Sequence, residues 1–243
     1  MGKVSLSDWS HLEKEYLEQR GNLLKEVDLS AYIDDPFVFC QRQKVAEILC
    51  RIELFKKILD IQGSIVECGV YKGNGAMLFC HLSSVLEPYN YNRKVIGFDS
   101  FEGLRSLSSG DPKELEESVF SDSSYDTLLK MGQIADLNRP IPHIPKLELV
   151  KGDATETIPE YVKNHPEFLI ALLYIDFSIY EPTKTALEQL LPLVPKGGIV
   201  TVIELNSEKW SGGTKAFKEC LEVNDIKLRK FPSDPWISYF EVE

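Results

Sequence analysis

An apolar run that leads directly into closely spaced glycines, IVECGVYKGNG, occupies residues 65–75. Glu67 stands near the end of the run, and Gly69 and Gly73 follow it before a helical pattern begins. Glycine lets the backbone turn tightly and approach a ligand where a Cβ atom would clash. The spacing departs from the GxGxxG dinucleotide fingerprint, because Tyr71 stands where the second glycine belongs. The stretch therefore predicts a strand, a tight turn and a helix that hold a ligand without a pyrophosphate.

Short apolar runs alternate with amphipathic stretches along the rest of the chain. The predicted strands are residues 65–68, 94–99, 147–150, 168–176, 197–205, 226–231 and 236–242. The predicted helices are residues 9–28, 38–59, 74–86, 156–163, 183–191 and 213–222. This alternation indicates an α/β fold with a mainly parallel, seven-stranded sheet and helices on both faces. Ligands of such sheets bind beyond the carboxyl ends of the strands, so residues at strand ends carry most of the functional information.

The length of 243 residues predicts a single domain. We expect residues 1–60 to form N-terminal helices of this domain, and residues 61–243 to form the α/β core. One polar connection, residues 105–146, is far longer than the usual few residues and contains an amphipathic piece at 125–137. It is predicted to be a lid-like insertion.

The composition narrows the class of protein. The net charge of −11 argues against a nucleic-acid partner, and no apolar run approaches the roughly 20 residues that span a bilayer. The five cysteines include no CxxC pair, so we expect reduced thiols and neither a disulfide framework nor a zinc site. The first residues lack the apolar stretch of a signal peptide, and we expect a soluble, cytoplasmic protein without a membrane partner.

Acidic residues stand at the ends of four successive predicted strands: Glu67, Asp99, Asp153 and Asp176. A carboxylate at the end of the second strand commonly accepts hydrogen bonds from ribose hydroxyls. For any single acid, a loop residue or a helix N-cap is an equally good interpretation. Four such acids, each at the end of a successive strand, favour a nucleoside-containing ligand.

Six blocks of sequence carry a resemblance to a known family. They read ECGVYKGNG, FDSFEGL, KGDATETIPEY, YIDFSIYEPTKTAL, PKGGIVTVIELN and WSGG, in this order. Over residues 40–222 the chain resembles the macrocin O-methyltransferase family, especially members that methylate nucleotide-linked deoxysugars. The resemblance implies a Rossmann-like class I methyltransferase fold that uses S-adenosylmethionine, with a small-molecule acceptor and a homodimeric assembly.

The resemblance also implies which residues contact the cofactor. The glycine turn would lie against the methionine part, the acid after the second strand would bind ribose, and the GDA segment would border adenine. Arg51 aligns with an arginine that meets the cofactor's carboxylate. The cofactor-binding residues implied in this way are Arg51, Glu67, Gly69, Gly73, Asp99, Ser100, Phe101, Asp153 and Ala154.

The reacting end departs from the family pattern. Acids that the family places after the fourth and fifth strands are replaced by Ser178 and Ile203. Asp176 and Glu204 remain as candidate ligands for Mg²⁺, which one or two carboxylates can hold together with water and substrate oxygens. Without a metal, Asp176 is the first candidate for the general base, followed by Glu204 and then His143, whose ordinary pKa lies near neutrality.

Three functions remain open at this point. The first is O-methylation of a hydroxyl on a small polar acceptor, such as a nucleotide-linked sugar or a glycosylated natural product. The second is a degenerate protein that binds S-adenosylmethionine without turnover, which the replaced acids favour. The third is a nicotinamide-dependent oxidoreductase, which accounts for Asp99 but not for the glycine spacing. Trp210 is open in the same way, since it could stack on a substrate ring or pack the loop that contains it.

Overall fold

The computed structural model describes residues 11–243, with side chains from Lys14 onward. The helices are α1 (His11–Leu24), α2 (Leu29–Asp34), α3 (Pro36–Phe39), α4 (Arg42–Lys57), α5 (Asn74–Leu86), α6 (Tyr125–Asp136), α7 (Ala154–Asn164), α8 (Tyr180–Leu190) and α9 (Ser211–Cys220). The strands are β1 (Ser64–Cys68), β2 (Val95–Asp99), β3 (Leu147–Lys151), β4 (Ile170–Ile175), β5 (Ile199–Ile203), β6 (Arg229–Lys230) and β7 (Ile237–Glu241). Of the described helices, none is long and apolar enough to cross a membrane.

The seven strands form one sheet in the order β3-β2-β1-β4-β5-β7-β6. The first five strands of the chain pair in parallel, whereas β7 is antiparallel to both β5 and β6. The strand order reverses between β1 and β4. We call the edge at which the parallel strands end the carboxyl edge, and the opposite edge the amino edge. A binding site is expected at the carboxyl edge beside β1 and β4.

Two apolar layers hold the sheet, one on each face. Alternate residues of β1 belong to different layers: Ile65 packs in one, and Val66 and Cys68 pack in the other. Side chains of successive strand residues point to opposite faces, so a strand covered on both sides is apolar throughout. β1 and β4 are buried along their whole length. All five cysteines are free thiols.

The described chain divides into two compact units within α4, the first ending at residue 46 and the second spanning residues 47–243. In the first unit, Arg20 donates to the carbonyl of Phe39 at 2.8 Å, and the Tyr32 hydroxyl donates to the carbonyl of Leu24 at 2.6 Å. In the second, the later turns of α4 bury Cys50, Leu54 and Phe55 in one of the two apolar layers of the sheet. The assignment of the N-terminal helices to the same domain stays a prediction.

Most predicted elements are present, with three differences. The predicted helix over 38–59 is interrupted, because Cys40 is extended and separates α3 from α4. The strand predicted over 226–231 shrinks to the two residues of β6, which pair only with β7 at the edge of the sheet. The amphipathic piece of the insertion is a helix, α6, because the Ser124 side chain caps it by accepting from the Thr127 amide. Residues 9 and 10 of the first predicted helix lie outside the described part of the chain.

Candidate functional site

The glycine turn brings the ends of β1 and β4 together. Gly69 has φ = 92°, and a Cβ atom there would collide with the backbone carbonyl of Asp176. Gly73 has φ = 84° and begins α5, where a Cβ atom would collide with the Leu128 side chain. Both positions need a left-handed backbone and lack room for a side chain. The predicted turn is therefore tight for two separate reasons.

Asp99 faces this turn from the end of β2. One carboxylate oxygen accepts a hydrogen bond from the Tyr71 amide at 2.8 Å, and the other accepts one from the Phe101 amide at 2.7 Å. Burial raises the pKa of Asp99, and these backbone amides oppose the rise. Ser100 donates to the carbonyl of Gly103 at 2.6 Å. The carboxylate is thus fixed in orientation, and its roughly four acceptor sites leave capacity for a further donor.

A buried ion pair lies beneath the turn. Arg51 Nη2 is 3.0 Å from Glu67 Oε1, Arg51 Nη1 is 2.6 Å from Glu47 Oε1, and the guanidinium carbon is 4.4 Å from the centre of the Tyr174 ring. Two atoms of the pair, Arg51 Nε and Glu67 Oε2, are buried without a hydrogen-bond partner. Burial raises the pKa of Glu67 to about 6, against the effect of Arg51. A buried donor and a buried acceptor left free side by side favour a ligand with groups of both kinds.

Asp153 has a different environment from that of Asp99. One carboxylate oxygen caps α7 by accepting from the Thr155 amide at 2.9 Å, and the other accepts from the Ser106 hydroxyl. Ala154, the first residue of α7, is buried. The helix-cap interpretation therefore describes this acid in the present structure. Its predicted role near adenine stays a prediction.

Asp176 and Glu204 follow the ends of the neighbouring strands β4 and β5, and both are partly buried. Burial raises the pKa of Asp176 well above its ordinary value, Arg51 opposes this, and the negative charge of Glu204 adds to it. Glu204 Oε2 accepts a hydrogen bond from the Ser178 hydroxyl at 2.7 Å, which limits the rise in its own pKa caused by burial. Ser178 and Glu204 have φ of 61° and 60°, which is uncommon outside glycine and is typical of functional sites.

The donors at these strand ends are few for a metal ion. Among residues 11–243, no group of three or more histidine, cysteine, aspartate or glutamate side chains is placed to hold one. Ile203 packs against an apolar layer of the sheet, and the Ser178 hydroxyl donates a hydrogen bond to Glu204. Asp176 and Glu204 are the two carboxylates left, so a Mg²⁺ at this place would need water and substrate oxygens for most of its coordination.

His143 is not brought to this cluster. It is exposed and precedes β3 by four residues, and Lys146 beside it bonds to the carbonyls of Asn90 and Arg93 before β2. These residues lie at the amino edge, whereas Asp176 lies at the carboxyl edge. The sheet therefore separates His143 from the candidate catalytic acids. The sequence already contained this signal, since His143 comes shortly before a predicted strand and not after one.

The first part of the insertion is packed onto the carboxyl edge by contacts that sequence reasoning missed. The buried Asp111 carboxylate accepts from the Tyr180 amide at 2.8 Å and so caps α8. Phe120 contacts Tyr71 edge-on at 5.3 Å and stacks on Trp210 at 5.9 Å between ring centres. In this structure Trp210 therefore packs against the insertion, through Phe120. These contacts join residues distant in sequence within an irregular segment, and no local pattern predicts them.

An open groove of about 430 Å³ lies beside the end of β5 and the start of α9. The residues that line it carry hydroxyl, amide and charged groups of both signs. They are Asn206, Ser207, Glu208, Ser211, Thr214, Lys215, Lys218 and Glu219. The first of them, Asn206, follows Glu204 by two residues in the chain.

Comparison with known proteins identifies relatives of this chain. The model of the macrocin-O-methyltransferase (TylF) family matches residues 53–228. The crystal structure of CalS11, a calicheamicin methyltransferase, superposes with a TM-score of 0.89 at 30% identity, covering 96% of this chain and 93% of that one. An apo structure of CalS11, described as a TDP-rhamnose 3'-O-methyltransferase, gives 0.82 at 31% identity, covering 96% and 95%.

Two further relatives are more distant. The O-methyltransferase NovP superposes with a TM-score of 0.68 at 22% identity over 82% of this chain and 80% of that one, which supports the fold alone. The 8-demethyl-8-(2,3-dimethoxy-alpha-L-rhamnosyl)-tetracenomycin-C 4'-O-methyltransferase of Streptomyces olivaceus is 26% identical over 144 residues, 58% of this chain. The match spans 52% of that protein, about half its length.

The family model covers well over half of the chain, and the superposition on CalS11 covers nearly all of it. The predicted fold, a Rossmann-like methyltransferase sheet with helices on both faces, is confirmed. The family resemblance carried by the six sequence blocks is confirmed as well. The chain belongs to the macrocin-O-methyltransferase family.

Proposed function

We propose that this chain is an S-adenosylmethionine-dependent O-methyltransferase that acts on a hydroxyl of a small sugar-bearing acceptor. The observation that carries the proposal is the pair of carboxylates, Asp176 and Glu204, at adjacent strand ends beside a glycine turn that packs directly against the backbone of Asp176. Family membership supports the reaction type. The sugar class is supported by CalS11 and the tetracenomycin enzyme, whose descriptions name rhamnose-containing acceptors.

The buried pair beneath the turn suits the methionine end of the cofactor. An amino acid carries an ammonium group and a carboxylate, and the free Glu67 Oε2 and Arg51 Nε offer one acceptor and one donor. Gly69 and Gly73 let the backbone come close without a clash. Asp99 would accept the ribose hydroxyls, with Ser100 and Phe101 shaping the loop, and Asp153 and Ala154 would border adenine.

In the proposed mechanism Asp176 is the general base. When bound, S-adenosylmethionine supplies a methyl carbon that is open to in-line attack. Asp176 takes the proton of the acceptor hydroxyl as the oxygen forms its bond to that carbon and the carbon–sulfur bond breaks. Burial raises the pKa of Asp176, which makes its carboxylate a stronger base than an exposed aspartate. Glu204, which accepts a hydrogen bond from Ser178, is the second carboxylate, and its negative charge helps to raise the pKa of Asp176.

We propose a metal-independent proton transfer, because Ser178 and Ile203 replace two acids of the family pattern and leave Asp176 and Glu204 to hold a Mg²⁺ with water and substrate oxygens. Turnover in the presence of a chelator is expected to equal turnover without it. A chelator that abolishes activity, followed by recovery on addition of Mg²⁺, would restore the metal-assisted route.

We propose that the polar groove beside Glu204 receives the acceptor, and that the insertion acts as a lid over it. The Phe120 contacts with Tyr71 and Trp210 would tie the lid to both halves of the site. Limited proteolysis tests this: cleavage within 105–124 should slow when cofactor and acceptor are both present. Equal cleavage under both conditions would contradict it. We also propose that the chain forms a homodimer and is located in the cytoplasm. Sedimentation velocity of the purified chain measures whether it is a monomer or a dimer.

The second candidate function, cofactor binding without turnover, is favoured by Ser178 and Ile203. Incubation with S-adenosylmethionine and a panel of nucleotide-linked deoxysugars distinguishes the two, with product detected by mass spectrometry. The proposal predicts one methyl group added to at least one acceptor. Binding without any product in the wild type, together with a gain of activity in the Ser178→Asp, Ile203→Asp double variant, would establish degeneration instead.

A further inference from the structure

A surface pocket of about 180 Å³ lies between α5 and α6 at the amino edge, far from the glycine turn along both helices. Its walls include Cys80, His81 and Ser84 of α5, Asp136 and Arg139 at the end of α6, and Lys146 before β3. A single water takes up roughly 30 Å³ in the liquid, so the cavity has room for a larger guest.

The charges buried around this cavity do not balance. Arg139 Nε is 2.7 Å from Asp136 Oδ1, and Arg93 Nε is 2.8 Å from Glu87 Oε1. Lys146, which is 5% exposed, makes its hydrogen bonds to two backbone carbonyls, of Asn90 and Arg93, each at 2.7 Å. The cluster therefore holds one more positive than negative charge in a buried setting, which is costly unless a counter-ion is present.

Two of the cations retain unused donors. Arg139 is 9% exposed, and its Nη2 is buried without a hydrogen-bond partner. Lys146 has three N–H groups and uses two of them on carbonyls. Burial lowers the pKa of Lys146, the positive charges of Arg139 and Arg93 lower it further, and the negative charge of Glu87 opposes them.

We propose that this cavity is a binding site for one small oxyanion, a phosphate or a carboxylate, held by Arg139 Nη2 and the free N–H of Lys146. An oxyanion supplies both the missing negative charge and several acceptor oxygens, and charge-assisted bonds of this kind are the strong ones. A chloride ion would balance the charge, but it has no separate oxygens with which to accept hydrogen bonds from both Arg139 and Lys146. The site is separate from the carboxyl edge and does not depend on the methyl-transfer proposal.

The test is calorimetric titration of the full chain with inorganic phosphate and, separately, with acetate, in chloride buffers of matched ionic strength. Saturable binding of one oxyanion per chain is expected with at least one of the two. Arg139→Met should weaken it roughly ten- to hundredfold, because a hydrogen bond to a charged group is lost. The matched control Arg229→Met, at an exposed arginine of β6, should leave it unchanged.

A second variant covers the case in which loss of Arg139 destabilises the fold. Ala135→Leu keeps every charge but fills the cavity, which Ala135 lines, and it should also abolish binding. Absence of saturable heat with both oxyanions at tens of millimolar would overturn the proposal. So would binding that is equally tight in the wild type and Ala135→Leu, since the anion would then lie elsewhere.

Discussion

The two halves of the carboxyl edge are built on different principles. At the ends of β1 and β2, backbone geometry prepares the site: Gly69 leaves no room for a Cβ atom, and two amides fix the Asp99 carboxylate. At the ends of β4 and β5, side chains prepare it: Ser178 orients Glu204, and burial raises the pKa of Asp176. The first half constrains where a ligand fits, and the second determines what happens to its protons.

This difference has a consequence for tolerance to change. A backbone cradle depends on a few glycines and is lost if they change, which is consistent with an intact glycine turn in this chain. A site made of side-chain pairs can lose members and keep others, as Ser178 and Ile203 in place of acids illustrate. Substitutions in the second half should therefore change rate, and those in the first half should change cofactor affinity.

The largest effect is expected at Asp176. Asp176→Asn removes the proposed base while keeping the shape of the side chain, and a well-placed general base contributes about 10² to 10⁴ in rate. Turnover on an accepted sugar should fall by that factor, and cofactor affinity should stay nearly constant. Asp60→Asn, at an exposed position, serves as the control. Full activity in Asp176→Asn would show that Asp176 is not the general base, and Glu204 would become the next candidate.

A smaller effect, on binding instead of rate, is expected in the other half. Asp99→Ala deletes charge-assisted hydrogen bonds to ribose, which are worth about 1.5 to 3 kcal/mol. Calorimetry should show a dissociation constant for S-adenosylmethionine raised roughly ten- to hundredfold. Asp60→Ala is the matched control. An unchanged constant in Asp99→Ala would break the division of labour between the two halves, because the ribose would lie elsewhere.

The buried Glu67 beneath the glycine turn should also make the free energy of unfolding depend on pH. The pKa of Glu67 is raised from 4.5 to about 6, so the folded protein holds this proton more tightly than the unfolded chain. The stabilisation relative to Glu67→Gln is fully present below pH 4.5 and is lost as the pH rises through about 6.

Urea unfolding of both proteins across this range measures the change. The free energy of unfolding of the wild type relative to Glu67→Gln should fall by on the order of 2 kcal/mol, the equivalent of the pKa shift. A difference that stays constant with pH would mean that burial does not raise the pKa of Glu67.

The smallest effect is expected at Ser178. Ser178→Ala removes the hydroxyl that donates to Glu204 and should lower turnover by about twofold to tenfold, the value of one hydrogen bond. Because that bond lowers the pKa of Glu204, its loss should raise the pKa of Glu204, and the smaller negative charge beside Asp176 should move the acid limb of the rate profile to lower pH. Ser30→Ala, in the N-terminal unit, is the control. A fall in rate with an unshifted profile would assign Ser178 a structural role only.

The sequence predicted the glycine turn and the strand-end acids because both depend on local chemistry: a period, a glycine and a charge at the end of an apolar run. It could not separate Asp99 from Asp153, since a ligand contact and a helix cap need the same residue type at the same place. The cap became clear only when Thr155 and Ser106 were found on the two oxygens. The capping role of Asp111 could not be predicted, because its partner Tyr180 lies 69 residues away in the sequence.

Calorimetric titration of the purified chain with S-adenosylmethionine tests most directly whether the carboxyl edge binds this cofactor. We expect saturable binding at one site per chain, competed by S-adenosylhomocysteine and not by NAD. Absence of binding at millimolar S-adenosylmethionine, or preferential binding of NAD, would contradict it.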